Sequence, residues 1–559
     1  AVFLLHPFVL VGLLAALLIA FIVLAIRHER LLQSIRTRSR VVDYYERGLA
    51  RLENHWAGKG ESGGRFLDAA HPYARDLDIF GDASLFQYLC VARTRAGEET
   101  LAQWLLEPAS IVETVARQAA VGKLRSGLSF RERLASAGET VRGGVNPEAL
   151  AHWGEQAAIL TSARTRLATT SLALLWILSI AAWAVWGSPL WAVLMSLLNF
   201  AYAHALHLRL EQAAGGIERA SGDLRALAEA LVLFEQESFP PGKLADLQRT
   251  LAIAGTTASR AVRKLARLAD ILESRHSLFA RPFDLFLFWS AQLIFAAEKW
   301  QRRFGPSIRA WIAAVGELEA LASLATFAYE HPGYAIPALV ADGPLFEATN
   351  LAHPLLPLAG AVANDVLLGD TRRIMILSGP NMAGKSTFIR SLGVNAVLAQ
   401  CGAPVCAHTL RMSPLRVAAS ICILDSLSGG VSRFYAEIRR IKLIVDLAGT
   451  SLPVLFLLDE LLSGTNSHDR LIGTEFVLKS LADRNAVGIV STHDLALTRI
   501  ADEGEVRAFN THFEDHIEDG QLIFDYKLKP GVVQTSNALN LMRAIGLGVN
   551  EPDARDLQP

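Results

Sequence analysis

The sequence predicts an α/β P-loop domain at the C-terminus, preceded by an all-α region that carries transmembrane helices. Three observations predict it. The stretch "ILSGPNMAGKSTFIRSLG" (376–393) sets G-x-x-x-x-G-K-S between an apolar strand and an apolar, helix-forming run. A second apolar strand, Val454 to Leu458, ends in Asp459 and Glu460. Upstream, uncharged runs beginning near Pro7, Leu167 and Pro189 are each about as long as a bilayer is thick.

The chain has 559 residues, enough for several domains. Hydrophobic residues make up 51% and charged residues 19%, greasier than an average soluble protein. The net charge of −1 gives no global basic field for nucleic acid. Cys90, Cys401, Cys406 and Cys422 show neither metal-ligand spacing nor a disulfide framework. They read as reduced core thiols of a cytosolic compartment.

Residues 1–30 form the first predicted membrane segment. Pro7 to Ile26 carries no charge, and Arg27, Arg30, Arg36, Arg38 and Arg40 follow, which places that end on the cytoplasmic side. A signal peptide would carry its charges first and a small-residue cleavage site last, and this run has neither. Two further spans, about 167–186 and 189–207, form a hairpin within 166–208, turned by Gly187-Ser188-Pro189 and crowded by Trp183, Trp186 and Trp191. Arg164, Arg166 and Arg209 put both of its ends in the cytoplasm. One span plus a hairpin is an odd count, and "AVFLL" is itself apolar, so residues 1–5 are expected to close an earlier span. The localisation expected is multi-pass in a membrane, a bacterial inner membrane, with the C-terminal domain cytoplasmic.

The stretches 31–165 and 209–340 read as helix-rich, with apolar residues at 3–4 spacing in "LRALAEALVLFEQ" and "RAVRKLARLADILE". Loops break them at "AGKGESGG" (57–64) and "FPPGK" (239–243). Residues 341–550 make the C-terminal domain, and 551–559 a tail.

Within that domain the loop residues Gly379 to Thr387 are placed to wrap nucleotide phosphates. Gly379 and Gly384 allow backbone angles and a close approach that a Cβ would block. Lys385 would reach the β and γ phosphates, and the Ser386 hydroxyl would ligate Mg²⁺. Asp459 at its strand tip suits a Mg²⁺-bound water, and Glu460 suits a base that polarises the attacking water. "AVGIVSTHD" supplies another strand ending at His493, positioned to contact the γ phosphate or the water. Between these lies "DSLSGGVSRFYAEIRRIK", small residues before a helix, which forms a second phosphate site. One chain already holds a complete loop for its own phosphates, so the second site points to donation across a dimer interface.

These residues resemble the MutS family, mismatch-repair ATPases of the ABC superfamily. "GPNMAGKST" (Gly379, Pro380, Asn381, Met382, Ala383, Gly384, Lys385, Ser386, Thr387) is close to that family's phosphate loop. "SGGVSRFYAE" resembles its signature, "LLDELLSGTNSHD" its Walker B and D-loop, and "STHDLALT" its His switch. "FNTH" at 509–512 and "YKLKPGVVQTSNALNLMRAIGL" at 526–547 resemble the strands and final helix that close its ATPase domain. A weaker likeness covers 71–125, 316–330 and 347–356, the family's core, lever and approach to the ATPase.

The resemblance implies ATP and Mg²⁺ as ligands, hydrolysis with Glu460 and His493 as catalytic residues, Ser386 and Asp459 on the metal, and Asn364 on the adenine side. It implies a homodimer in which a signature serine acts in trans. In the transporter register that serine is Ser428, followed by Gly429 and Gly430; in the MutS register it is Ser432, with Phe434 and Glu437. The second register is preferred because Glu437 then also falls into place. DNA as a partner is implied by the family alone. Neither the mismatch-reading domain nor the DNA clamp is expected here. Phe130-Arg131-Glu132, the one early match to the Phe-x-Glu wedge, sits in a helical stretch and reads as coincidence. Two alternatives stay open: a membrane switch or scaffold that binds no DNA, and a component of an ABC-type transporter.

Overall fold

The first helix, α1 (Val2–Leu52), runs unbroken for 51 residues, about 75 Å. Its described side chains from 12 to 31 are all exposed, Leu13, Leu17, Phe21 and Leu24 among them. Its last turns join the helical region, where Tyr44 and Ala50 are buried. There Arg51 donates to both carboxylate oxygens of Glu330 at 2.7 and 2.6 Å. This is a computed structural model, and it describes residues 2–137, 147–160, 162–253, 255–273, 281–357, 360–380, 382–422, 433–462, 464–502, 506–518 and 521–533.

After a loop-rich segment come α2 (Arg95–Leu106), α3 (Ile111–Ser126) and α4 (Leu128–Ser136). Thr94 and Ser110 cap the first two, accepting from Gly97 and Glu113 backbone N–H groups. Phe130 on α4 is buried, Arg131 donates to the Leu124 carbonyl and the Thr326 hydroxyl, and Glu132 accepts from Tyr45. All three thus serve helix packing.

The hairpin is α5 (Ala163–Trp186) and α6 (Leu190–Gln236), with Gly187 at φ 74° capping α5. The expected boundary near residue 208 is not a helix end: α6 continues 28 residues past it, to Gln236. Leu, Ala, Glu and Arg favour propagation there, and the Gly215-Gly216 pair is tolerated because the Trp153 ring presses on Gly216. Leu174, Leu178, Val185, Trp186, Trp191 and Leu197 are exposed. Next come α7 (Ala258–Glu273) along α6, the short α8 (Arg281–Leu287), α9 (Trp289–Phe304) and α10 (Ile308–Glu330). α8 docks on the hairpin: Phe286 stacks on Trp176 at 4.9 Å, and the Asn199 amide donates to the Phe286 carbonyl. α10 runs through the core against α2 and α3. At Gly316 a Cβ would lie 2.8 Å from the Thr100 hydroxyl, so the two helices meet at a distance that glycine permits.

The C-terminal region is built on two sheets. Strands β1 (Ala338–Leu339), β2 (Phe346–Leu351), β3 (Asn364–Leu368) and β5 (Thr409–Met412) form one, in the order β1-β5-β2-β3. The other takes β4 (Ile374–Ser378), β6 (Arg416–Ser420), β7 (Val454–Leu458), β8 (Val487–Thr492), β9 (Ala508–His512) and β10 (Lys529–Pro530), in the order β10-β9-β4-β8-β7-β6. All neighbours in it are parallel except β9 and β10. β4, β7 and β8 are buried at every position, as continuous apolar strands in a parallel sheet should be. Three helices flank the sheet: α11 (Lys385–Cys401), α12 (Arg433–Leu447) and α13 (Ser467–Ala482).

α11 is sandwiched between the sheet and the helical region. One hydrophobic cluster runs through both, and a smaller one lies on the sheet's other face. The Cys401 thiol donates to the Trp104 carbonyl at 2.8 Å, and Thr114 to that of Gln400. Cys90, Cys401 and Cys406 are core thiols as expected, but Cys422 is exposed, because β6 has left the sheet by that residue.

Candidate nucleotide site

The carboxyl ends of β4, β7 and β8 converge on one crevice, the usual binding position in an open parallel sheet. After β4 the chain turns at Gly379, φ 144°, where a Cβ would lie 2.6 Å from the Phe513 carbonyl oxygen. Gly384, φ 91°, opens α11, and a Cβ there would meet the Tyr526 ring at 3.0 Å. Both positions therefore demand glycine, by conformation and by space. Met382 also has a positive φ and is exposed, while Ala383 is buried. Asn381 lies outside the described residues.

Lys385 is buried in the first turn of α11. Its amine folds back on the loop, donating to the carbonyls of Gly379 at 2.7 Å and Pro380 at 2.9 Å. Burial lowers its pKa, and Glu460 and Asp459 oppose that shift. Ser386, half-buried, and Thr387, exposed, follow on the same turn.

Asp459 and Glu460 leave β7 together. A residue the sequence reading passed over joins them: Ser491, second to last in β8. Its hydroxyl accepts from the Glu460 N–H at 3.0 Å and donates to the Asp459 carboxylate. Glu460 is held at φ 50°, a left-handed conformation unusual for a glutamate and of the kind found where geometry is imposed. His493 follows β8 directly. Its Nε2 lies 2.5 Å from Glu460 Oε1, and its Nδ1 lies 3.3 Å from the Lys385 amine. A proton on Nε2 donates to Glu460 and leaves Nδ1 to accept from Lys385. Three polar residues from three separate motifs thus form one chain across the loop.

Ser428, Gly430 and Ser432 lie outside the described residues. The helix that follows them is in place. Glu437 on α12 is buried and accepts from the Leu462 N–H at 2.5 Å, and Phe434 sits 3.3 Å from where a Gly464 Cβ would be. Both residues brace the segment after Asp459-Glu460.

Beside the loop lies a cavity of about 350 Å³, lined in part by His353, Asn364, Met382, Phe388, Phe513 and Tyr526. Asn364, expected on the adenine side, is among the residues that line this cavity. Its amide donates to the Tyr526 carbonyl at 2.9 Å and its oxygen accepts from the Leu528 N–H at 2.8 Å. Both ends of the side chain hold the 526–528 segment at the cavity wall. Tyr526 lines the same cavity, its ring against Gly384. Burial, then the Arg390 charge, pushes the His353 imidazole down to about 4, so it is neutral near pH 7.

Residues 375–551 match the family model described as MutS domain V. The DNA mismatch repair protein MSH3 of Phaeosphaeria nodorum is 33% identical over 245 residues, covering 42% of this chain and 22% of that protein. The DNA mismatch repair protein MutS 2 of Halobacterium salinarum is 32% identical over 286 residues, covering 50% and 31%. The DNA mismatch repair protein MutS of Halalkalibacterium halodurans is 30% identical over 286 residues, with the same coverage. The match therefore spans less than a third of each of these relatives. The C-terminal region of this chain is thus similar to the domain V of MutS proteins and to the matching part of these relatives.

Proposed function

We propose that this chain binds ATP with Mg²⁺ and hydrolyses it at sites completed by a second copy of itself. The observation that carries the reading is the Lys385–His493–Glu460 chain, drawn from three motifs into one crevice. Glycine-only positions at 379 and 384 fit a phosphate cradle, and the Lys385 amine, held on two loop carbonyls, is free to exchange them for phosphate oxygens. Loop N–H groups from Met382 onward, with Thr387 beyond and Pro380 shaping the turn, would surround the phosphates. Ser386 and Asp459 would hold Mg²⁺, which when bound neutralises charge on the phosphates. Glu460 takes the proton of the attacking water, and His493 orients Glu460. Tyr526 offers its ring to the adenine, and Asn364 fixes Tyr526. Ser432 of the partner subunit, or Ser428 with Gly430 in the other register, would complete the site.

We also read α1 and the α5–α6 hairpin as membrane spans in a multi-pass protein, with the nucleotide site in the cytoplasm. Their exposed apolar faces and flanking arginines support this. The relatives' names speak of DNA mismatch repair, and DNA is the ligand this reading carries over from them. The neutral net charge favours a second reading, a membrane switch without DNA. Salt-dependent DNA binding by the purified protein separates the two.

Glu460→Gln tests the ATPase. The variant should bind ATP normally and turn it over about a hundredfold more slowly, the scale of a lost general base. Wild-type turnover would remove Glu460 from the role.

A further inference from the structure

Ahead of α2, the segment "AAHPYARDLDIF" (69–80) lies against the nucleotide domain at three places. The first is the edge of the six-stranded sheet, where the Ala419 N–H of β6 donates to the Pro72 carbonyl at 2.9 Å. The second is α12, whose Arg440 donates to the carbonyls of His71 at 2.7 Å and Ala69 at 3.3 Å. The third is α11, the helix of the phosphate loop. Its Arg390 donates to the Asp76 carbonyl at 2.9 Å, and Leu77 fills the space a Cβ on Gly393 would need.

Asp76 sits at the centre of these contacts and is 1% exposed. One carboxylate oxygen accepts from the N–H groups of Ile421 and Cys422, at 2.7 and 2.9 Å. The other lies 3.5 Å from Arg440. Ile421 and Cys422 directly follow Ser420, whose carbonyl accepts from the Asp459 N–H at 3.0 Å. The same segment is tied to the helical region, where Tyr73 donates to the Leu105 carbonyl of α2 at 2.8 Å. A buried carboxylate is costly unless its hydrogen bonds and counter-charge are well placed, and here they come from the exit of β6, the strand beside β7, and from α12, whose Glu437 braces the segment after Glu460.

We propose that Asp76 is a positioning residue for ATP turnover: it locks the exit of β6 and α12 against the phosphate-loop helix, so that the helical region and the nucleotide site move as one. Asp76 touches no nucleotide. Its effect falls on elements that complete the site after the loop has bound its phosphates. The inference rests on the ATPase reading above.

The test uses the full-length chain in detergent, with Asp76→Asn and Asp76→Ala. Fluorescent ADP measures binding at the loop, steady-state hydrolysis gives kcat, and hydrogen exchange follows the Ile421 and Cys422 amides. Asp76→Asn keeps the volume and one acceptor oxygen but loses the charge facing Arg440. It should bind ADP within about twofold of wild type while kcat falls about tenfold, the pattern of an interaction that acts on turnover. Exchange at the two amides should rise. If Asp76→Ala fails to fold, Asp76→Asn decides. An unchanged kcat in a folded Asp76→Asn protein overturns the proposal, as does a parallel loss of ADP affinity and kcat, which marks general damage. Wild-type protein with no hydrolysis would sink the ATPase reading and this inference with it, an outcome distinct from active wild type beside an equally active variant.

Discussion

The α5–α6 hairpin and the α9–α10 stretch are both long and apolar enough to cross a membrane, yet they have opposite surroundings. The hairpin turns Leu174, Leu178, Leu197, Trp183, Trp186 and Trp191 outward. Sixteen of the 23 residues of α10 are buried in protein. The difference lies in the polar residues. Those of α10 have partners on several sides: Glu319 caps α2 through Thr94, Ser323 accepts from the Val91 N–H, Thr326 from Arg131, and Glu330 from Arg51. Among the hairpin's polar contacts, Trp176 to Ser196 joins its two helices, and Gln292 and Phe286 meet Thr169 and Asn199 on its inner side. Hydropathy counts side chains. It does not say whether a complementary surface stands opposite.

Alanine in the two helices should separate these environments most strongly. Leu321→Ala, fully buried in α10, should cost about 4 kcal/mol, as cavities in packed cores do. Leu178→Ala, on the outer face of α5, should change stability by less than about 0.5 kcal/mol. Thermal unfolding in detergent reads both. Equal costs would mean that the hairpin's outer face packs against protein.

The joint between α1 and α10 should give the next largest effect. Arg51→Ala leaves the Glu330 carboxylate buried without its partner and should cost about 3 kcal/mol. If unfolding is unchanged, the base of α1 is not part of the core.

The smallest effect should be a pH slope from Glu319, and it sharpens the contrast from the α10 side. Burial pushes its carboxyl up to about 7 from an ordinary 4.5, against the hydrogen bonds from Thr94 and Arg93. The folded state therefore holds a proton between these values that the unfolded state has released. The stability this group contributes is present below about pH 4.5, is lost as pH rises to about 7, and is flat above. Glu319→Gln should abolish that loss, worth about 2–3 kcal/mol by pH 8. Parallel unfolding curves for variant and wild type from pH 5 to pH 8 would refute it.

Much of the fold was legible because its signals are local. The strand, Gly-rich loop and helix at 374–401 are written in consecutive residues, as are the helix periodicity and the uncharged runs. Less of the site was legible. Lys385 announces itself at a helix start after a Gly-rich loop, and Asp459, Glu460 and His493 at strand ends. Ser491 does not, since a serine near the end of a buried strand is ordinary until Asp459 and Glu460 are seen on either side of its hydroxyl. Asn364 gave the right neighbourhood, but its partners, the Tyr526 carbonyl and the Leu528 N–H, lie far along the chain. The helix that carries the second span runs on to Gln236, because a helix stops where caps or packing stop it, and the arginine at 209 does neither.

By itself the sequence determined the Gly-rich loop between β4 and α11, the acid pair after β7 and the apolar runs. Each depends on residue type and short spacing, which backbone geometry converts directly into position. The tertiary structure alone decided which apolar helix is buried and that His493 joins Lys385 to Glu460. It also decided that Asp76 clamps β6 and α12. These are meetings between segments distant in sequence. They exist because one close-packed core runs from the helical region into the sheet and fixes which side chains face each other.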